Sequence, residues 1–176
     1  MLKKEVLYIG MDESNHGETK PRIGEIIVAS YSYDSFFWEE KKHPNRRNYA
    51  RVVECMENDF NYVFTIVPHG MAKINYSNLS NVAPFLIKEI ISDKDKPDKV
   101  KLGLDGELKR KDRRGFLEKI AEQDLDVTLK NFVKRKGVHQ CPELIYLSHQ
   151  IANNLLNKSP LVEIARNLHY IPLNFD

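Results

Sequence analysis

The chain has 176 residues, 41% of them hydrophobic, which is enough to build a core within one domain. Its 27 Lys and Arg against 25 Asp and Glu leave a net charge of +2, so a whole-surface field of the kind that general duplex binders use is excluded. Two cysteines in no metal-ligand spacing argue against zinc and suit a reducing compartment; with no apolar run long enough for a secretion signal or a membrane span, the expected location is the cytoplasm, with no membrane partner.

A first strand is predicted over Glu5 to Met11 and a second over Gly24 to Tyr33, both rich in β-branched and aromatic residues. Gly17 and Pro21 between them signal a turn and hence an antiparallel pair. Ser35 to Asn48 reads as an irregular insertion of aromatics followed by charge, and Tyr49 to Phe60 has helical spacing. Asn61 to Pro68 is a third, buried strand. A helix capped by Asn78 or Ser80 follows, with Pro84 tolerable in its first turn. Val100, Leu102 and Leu104 then alternate as in a strand that ends at Asp105. A basic helix over Lys111 to Gln123, a strand over Asp126 to Lys134 and an amphipathic helix over Cys141 to Lys158 complete the order. The expected fold is therefore α/β: a mixed sheet, with a three-stranded antiparallel meander and parallel strands, flanked by helices in a single domain over residues 1–176.

Two predicted strands end in acids, the first at Asp12 and Glu13 and the fourth at Asp105. If those strands are parallel neighbours, their ends lie about 5 Å apart, at the sheet edge where ligand crevices open. Converging carboxylates with no cysteine favour Mg²⁺ or Mn²⁺ and, through it, phosphate oxygens. Taken singly, the same residues are ordinary: Asp12 and Glu13 can solvate a hairpin mouth, and Asp105-Gly106 is a common turn.

The stretch Asp12-Glu13-Ser14-Asn15-His16-Gly17 resembles the Asp-Glu-Ala-Gly-Arg-Gly motif of type 2 ribonuclease H, and "LGLDG" around Asp105 resembles the fourth-strand aspartate of the ribonuclease H-like superfamily. The order of elements over Val6 to Lys158 is similar as well. The resemblance implies a ribonuclease H-like fold and a two-cation nuclease site in which Asp12, Glu13 and Asp105 are ligands. It also marks departures. Where that family has glycine and arginine contacting the hybrid's 2′-hydroxyl, this chain has Asn15 and His16, which by their place in the motif are expected nucleic-acid contacts, but the family's specificity for RNA–DNA hybrids does not carry over.

Where the family has a later helical aspartate, the last helix here offers His149, at the edge of the apolar stripe of Leu144, Ser148, Ile151, Ala152 and Leu155, with Asn153 one turn on. Histidine there suits cation binding or proton movement, or an ordinary structural hydrogen bond. Glu143 at the helix start competes for the ligand role, unless it only answers the helix dipole. Lys109, Arg110, Lys111, Arg113 and Arg114 follow Asp105 closely enough to track flanking phosphates. Phe36, Phe37 and Trp38 suit base stacking or core packing.

The leading expectation is a Mg²⁺- or Mn²⁺-dependent nuclease acting on DNA or RNA, single-stranded by preference, with Asp12, Glu13, Asp105 and His149 as the catalytic and metal residues. The alternatives are an inactive ribonuclease H-like module that binds nucleic acid or protein, and a metal-dependent hydrolase of small phosphate esters.

Overall fold

In the computed structural model the described residues are 5–14, 24–43, 49–56, 60–67, 78–92, 96–132, 139–157 and 170–173. Strand β1 (Val6–Ser14) lies at the centre of a five-stranded sheet and is buried along both faces, which is why its sequence is a continuous apolar run rather than an alternation. It pairs antiparallel with β2 (Glu25–Ser32) and parallel with a later strand, Lys99–Asp105. Numbered in chain order, the remaining strands are β3 (Glu40–His43), β4 (Asn61–Val67), β5 (Lys99–Asp105), β6 (Val127–Phe132) and β7 (His139–Pro142). The large sheet runs β4-β2-β1-β5-β6, antiparallel on the β2 and β4 side and parallel on the β5 and β6 side. That is the mixed sheet expected from the order of elements.

Alternation along the strands sends two sets of side chains to opposite faces. On one face Leu7, Ile9, Met11, Ile27, Leu102 and Leu104 pack under α2 (Asn78–Ser92) and α3 (Arg110–Ala121). On the other, Tyr8, Ile26, Val28 and Phe64 meet α1 (Tyr49–Met56) and α4 (Glu143–Leu156) through Val52, Cys55, Leu147, Ile151 and Leu155. Helix α2 begins at Asn78, so Pro84 lies inside it rather than in the first turn; the apolar face through Val82, Ala83, Leu86, Ile87 and Ile90 outweighs the backbone hydrogen bond the ring removes.

The stretch read as an irregular insertion contains a one-turn 3-10 helix, Ser35–Trp38, and then β3, which pairs antiparallel with β7 in a separate two-stranded ribbon. Helix α4 accordingly starts at Glu143, with Cys141 and Pro142 in the ribbon. Beyond α4, Tyr170 bridges to Phe64, and the Ile171 N–H donates to the Phe64 carbonyl at 2.9 Å, covering the outer edge of β4. No helix among the described residues is long and apolar enough to cross a membrane.

Candidate metal centre

The parallel register of β1 and β5 runs from Val6 against Lys99 to Met11 against Leu104, and the same offset carries Asp12 to Asp105. Met11 and Leu104 face α2 and α3, so the next residue on each strand faces α4. There Asp12, Asp105 and His149 bring one ligand atom each to within 4.8 Å of one another. Asp12 is 5% exposed, whereas Asp105 and His149 are partly open to solvent.

The main chain fixes this convergence. The first turn of α4 rests directly on Gly10, where a Cβ would stand 2.5 Å from the Ile145 nitrogen and from the Leu144 carbonyl carbon. Ser148 locks the contact: its hydroxyl donates to the Gly10 carbonyl at 2.8 Å, and its oxygen accepts from the Ser30 N–H at 3.1 Å. With Ser148 held, His149 is delivered to Asp12, Nδ1 to Oδ2 at 2.6 Å. On the other strand Gly106, at φ 90°, turns the chain out of β5. Its N–H donates to the Phe132 carbonyl at 2.8 Å and its own carbonyl accepts from the Asn131 side chain at 3.0 Å, which anchors the backbone beside Asp105.

Burial pushes the Asp12 carboxyl above its ordinary value, and the neighbouring charge of Asp105 pushes the same way; the bond to His149 opposes both. The pair thus has an electrostatic deficit that a cation would relieve. Cys141, fully buried, feels the same acids: burial first, then Asp105 and Asp12, hold its thiol protonated, so the centre has carboxylate and imidazole donors and no thiolate.

Glu13 does not join the cluster. Because β1 continues to Ser14, the next residue after Asp12 points to the α2 face, where Glu13 is a diagonal neighbour of Glu25 on β2 and hydrogen-bonds to it. Burial, and then Glu25, push the Glu13 carboxyl up to about 8. An acid held there in the folded protein, against an ordinary 4.5, keeps a proton that the unfolded chain has released, so stability falls as pH rises from 4.5 through 8. Glu13→Gln is expected to flatten that slope: melting in EDTA at pH 8 should rise by roughly 3 °C or more while the value at pH 5 stays near wild type.

Glu143 is also accounted for elsewhere. It is 2% exposed and takes Arg51 of α1 at 2.9 Å, with Lys41 of β3 at 4.0 Å, so between the two competing helix residues only His149 reaches the aspartates. Lys109, Arg110, Lys111, Arg113 and Arg114 are exposed around the start of α3, on the helix layer opposite α4. Lys111 and Arg114 line a 350 Å³ cavity with Asn81 and Lys119, and Arg114 also pairs with Glu118 at 2.8 Å. Asn15 and His16 lie outside the described residues. Of the three aromatics, Phe37 is core, Trp38 packs on Tyr8 and Phe132, and Phe36 is exposed with the Lys41 ammonium 3.6 Å from its ring centre. Gly10 and Asn131 were not singled out from sequence, and Ser148 only as a member of the buried helix stripe, although a glycine inside a buried strand is itself a signal of close backbone approach. No protein-family model matches the chain, and no curated protein aligns with it significantly.

Proposed function

We propose that the chain is a divalent-metal-dependent nuclease that hydrolyses phosphodiester bonds of DNA or RNA, built on a ribonuclease H-like fold. The observation that carries the reading is the pair Asp12 and Asp105, brought to the same face at the carboxyl ends of adjacent parallel strands, with His149 closing the group from the helix above. The sheet order, three antiparallel strands followed by two parallel ones around β1, supports the fold.

The donor set fits Mg²⁺ or Mn²⁺: two hard carboxylates would hold the ion, one of them pushed toward protonation by its burial and, less, by the charge of the other. When bound, such an ion lowers the pKa of a water and stabilises charge on a leaving oxygen. The chain's own residues do the rest. Asp12 and Asp105 would hold the ion, and His149, bonded to Asp12 at 2.6 Å, keeps that carboxylate in one orientation. The partial exposure of Asp105 and His149 leaves the centre open to a substrate.

The test is incubation of labelled single-stranded DNA, duplex DNA, RNA and RNA–DNA hybrid with Mg²⁺, Mn²⁺ or EDTA, with Asp12→Asn as control and a small phosphate ester in parallel. Cleavage of a single strand that needs the metal and disappears in the control is the expected result. Binding without cleavage in every metal would replace the enzyme by a binding module, and ester turnover alone would replace the nuclease by a small-molecule phosphohydrolase.

A further inference from the structure

Asn153, one helical turn beyond His149, touches that residue twice through a single atom. Its Nδ2 lies 3.0 Å from the His149 main-chain oxygen and 3.0 Å from the His149 Nε2. A backbone carbonyl can only accept, so the atom facing it must bear hydrogens, and this settles which end of the amide points at the imidazole. Nε2 therefore meets an N–H donor and must present its lone pair. A neutral imidazole with a bare Nε2 carries its proton on Nδ1, which is the nitrogen 2.6 Å from the Asp12 Oδ2. Every hydrogen in the chain Asn153, His149, Asp12 then has one place to go.

We propose that Asn153 is the positioning residue of this centre: it selects the Nδ1–H tautomer of His149, which makes the imidazole a hydrogen-bond donor to Asp12 and keeps it out of the set of cation ligands. The consequence for cleavage rests on the nuclease reading above; the tautomer does not. His149 is then a clamp on a metal-binding carboxylate rather than the counterpart of a third carboxylate. Ligating carboxylates are commonly held by such outer hydrogen bonds. Asp12 and Asp105 would carry the ion, and the proton on Nδ1 would stay where it is on binding.

The experiment is ¹⁵N NMR of the His149 ring nitrogens, assigned with His149→Gln, in wild type, Asn153→Ala and Asn153→Asp, each in EDTA and in saturating Mg²⁺. In wild type, Nδ1 should have the shift of a protonated nitrogen and Nε2 that of a bare one, unchanged by Mg²⁺. A carboxylate can only accept, so Asn153→Asp puts an acceptor at each ring nitrogen: the ring should take a second proton, Nε2 moving to the shift of a protonated nitrogen while Nδ1 keeps its own, and Asn153→Ala should admit a fraction protonated on Nε2. Where single strands are cleaved, Asn153→Asp should lose about 10- to 100-fold in rate with an unchanged circular dichroism spectrum. A wild-type ring protonated on Nε2, loss of the Nδ1 proton on adding Mg²⁺, or unchanged shifts in Asn153→Asp would each overturn the proposal. If no substrate is cleaved at all, the ring nitrogens still report the tautomer, so the two readings fail separately. Should Asn153→Asp not fold, the wild-type spectrum decides alone.

Discussion

Asp12→Asn and Asp105→Asn should each lower metal-dependent cleavage by roughly 1,000-fold or more, while making the metal-free protein harder to melt. The loss follows from charge: each substitution removes a ligand whose ion would supply roughly 4 kcal/mol of transition-state stabilisation, about three decades in rate. The gain follows from the same charges without the ion. Asp12 is buried beside Asp105, and both burial and that neighbour disfavour its ionised form. An asparagine keeps the shape and still accepts the hydrogen bond from His149, but has no charge to desolvate. Calorimetry in EDTA should therefore show the Asn variants melting above wild type, and adding Mg²⁺ should raise the wild-type melting temperature alone. Equal Mg²⁺-induced shifts in wild type and both variants would place the ion elsewhere. Such opposition between stability and activity is common where function needs like charges held together.

Gly10→Ala is expected to be among the most damaging single substitutions in the chain, although it adds one methyl group. The new Cβ would meet backbone atoms of Leu144 and Ile145 at 2.5 Å, and neither a helix backbone nor a central strand can step aside cheaply. Overpacking of this kind costs roughly 3 kcal/mol or more. For a domain of this size that lowers the melting temperature by roughly 6–12 °C, measurable by circular dichroism. If α4 instead lifts to make room, Ser148 loses the Gly10 carbonyl and His149 is carried away from Asp12, so stability and cleavage should fall together. A melting temperature within a degree of wild type would show that α4 is not seated on β1 as described.

The acids were legible because a strand that must be buried on both faces has no reason to run into Asp12, and a second strand ending in Asp105 repeats the anomaly. His149 was legible as a polar residue at the margin of an apolar stripe, since helical periodicity alone places it. Glu13 was misplaced for an equally simple reason. Ending the first strand at Met11 removes the two-residue alternation that, with β1 running to Ser14, turns Glu13 to the other face. The β3–β7 ribbon left no trace because its strands are four residues each, mostly polar on β3, and pair across more than half the chain, Glu40 with Pro142 and His43 with His139, so no local pattern announces them. The tautomer-setting role of Asn153 depends on which atom of an amide faces a carbonyl, a matter of ångströms that residue types do not encode.

The bridge from Tyr170 to Phe64 bears on how the chain can be shortened. Residues 170–173 follow the last helix and in sequence resemble a dispensable tail, yet Ile171 saturates a main-chain acceptor of an outermost strand, and Ile171 and Leu173 lie against the core on the α2 side. Removing residues 170–173 would bare the Phe64 carbonyl on that strand's outer edge, a point at which another copy could add itself. Residues 170–173 act as a selvedge, the woven border that keeps a cloth from fraying.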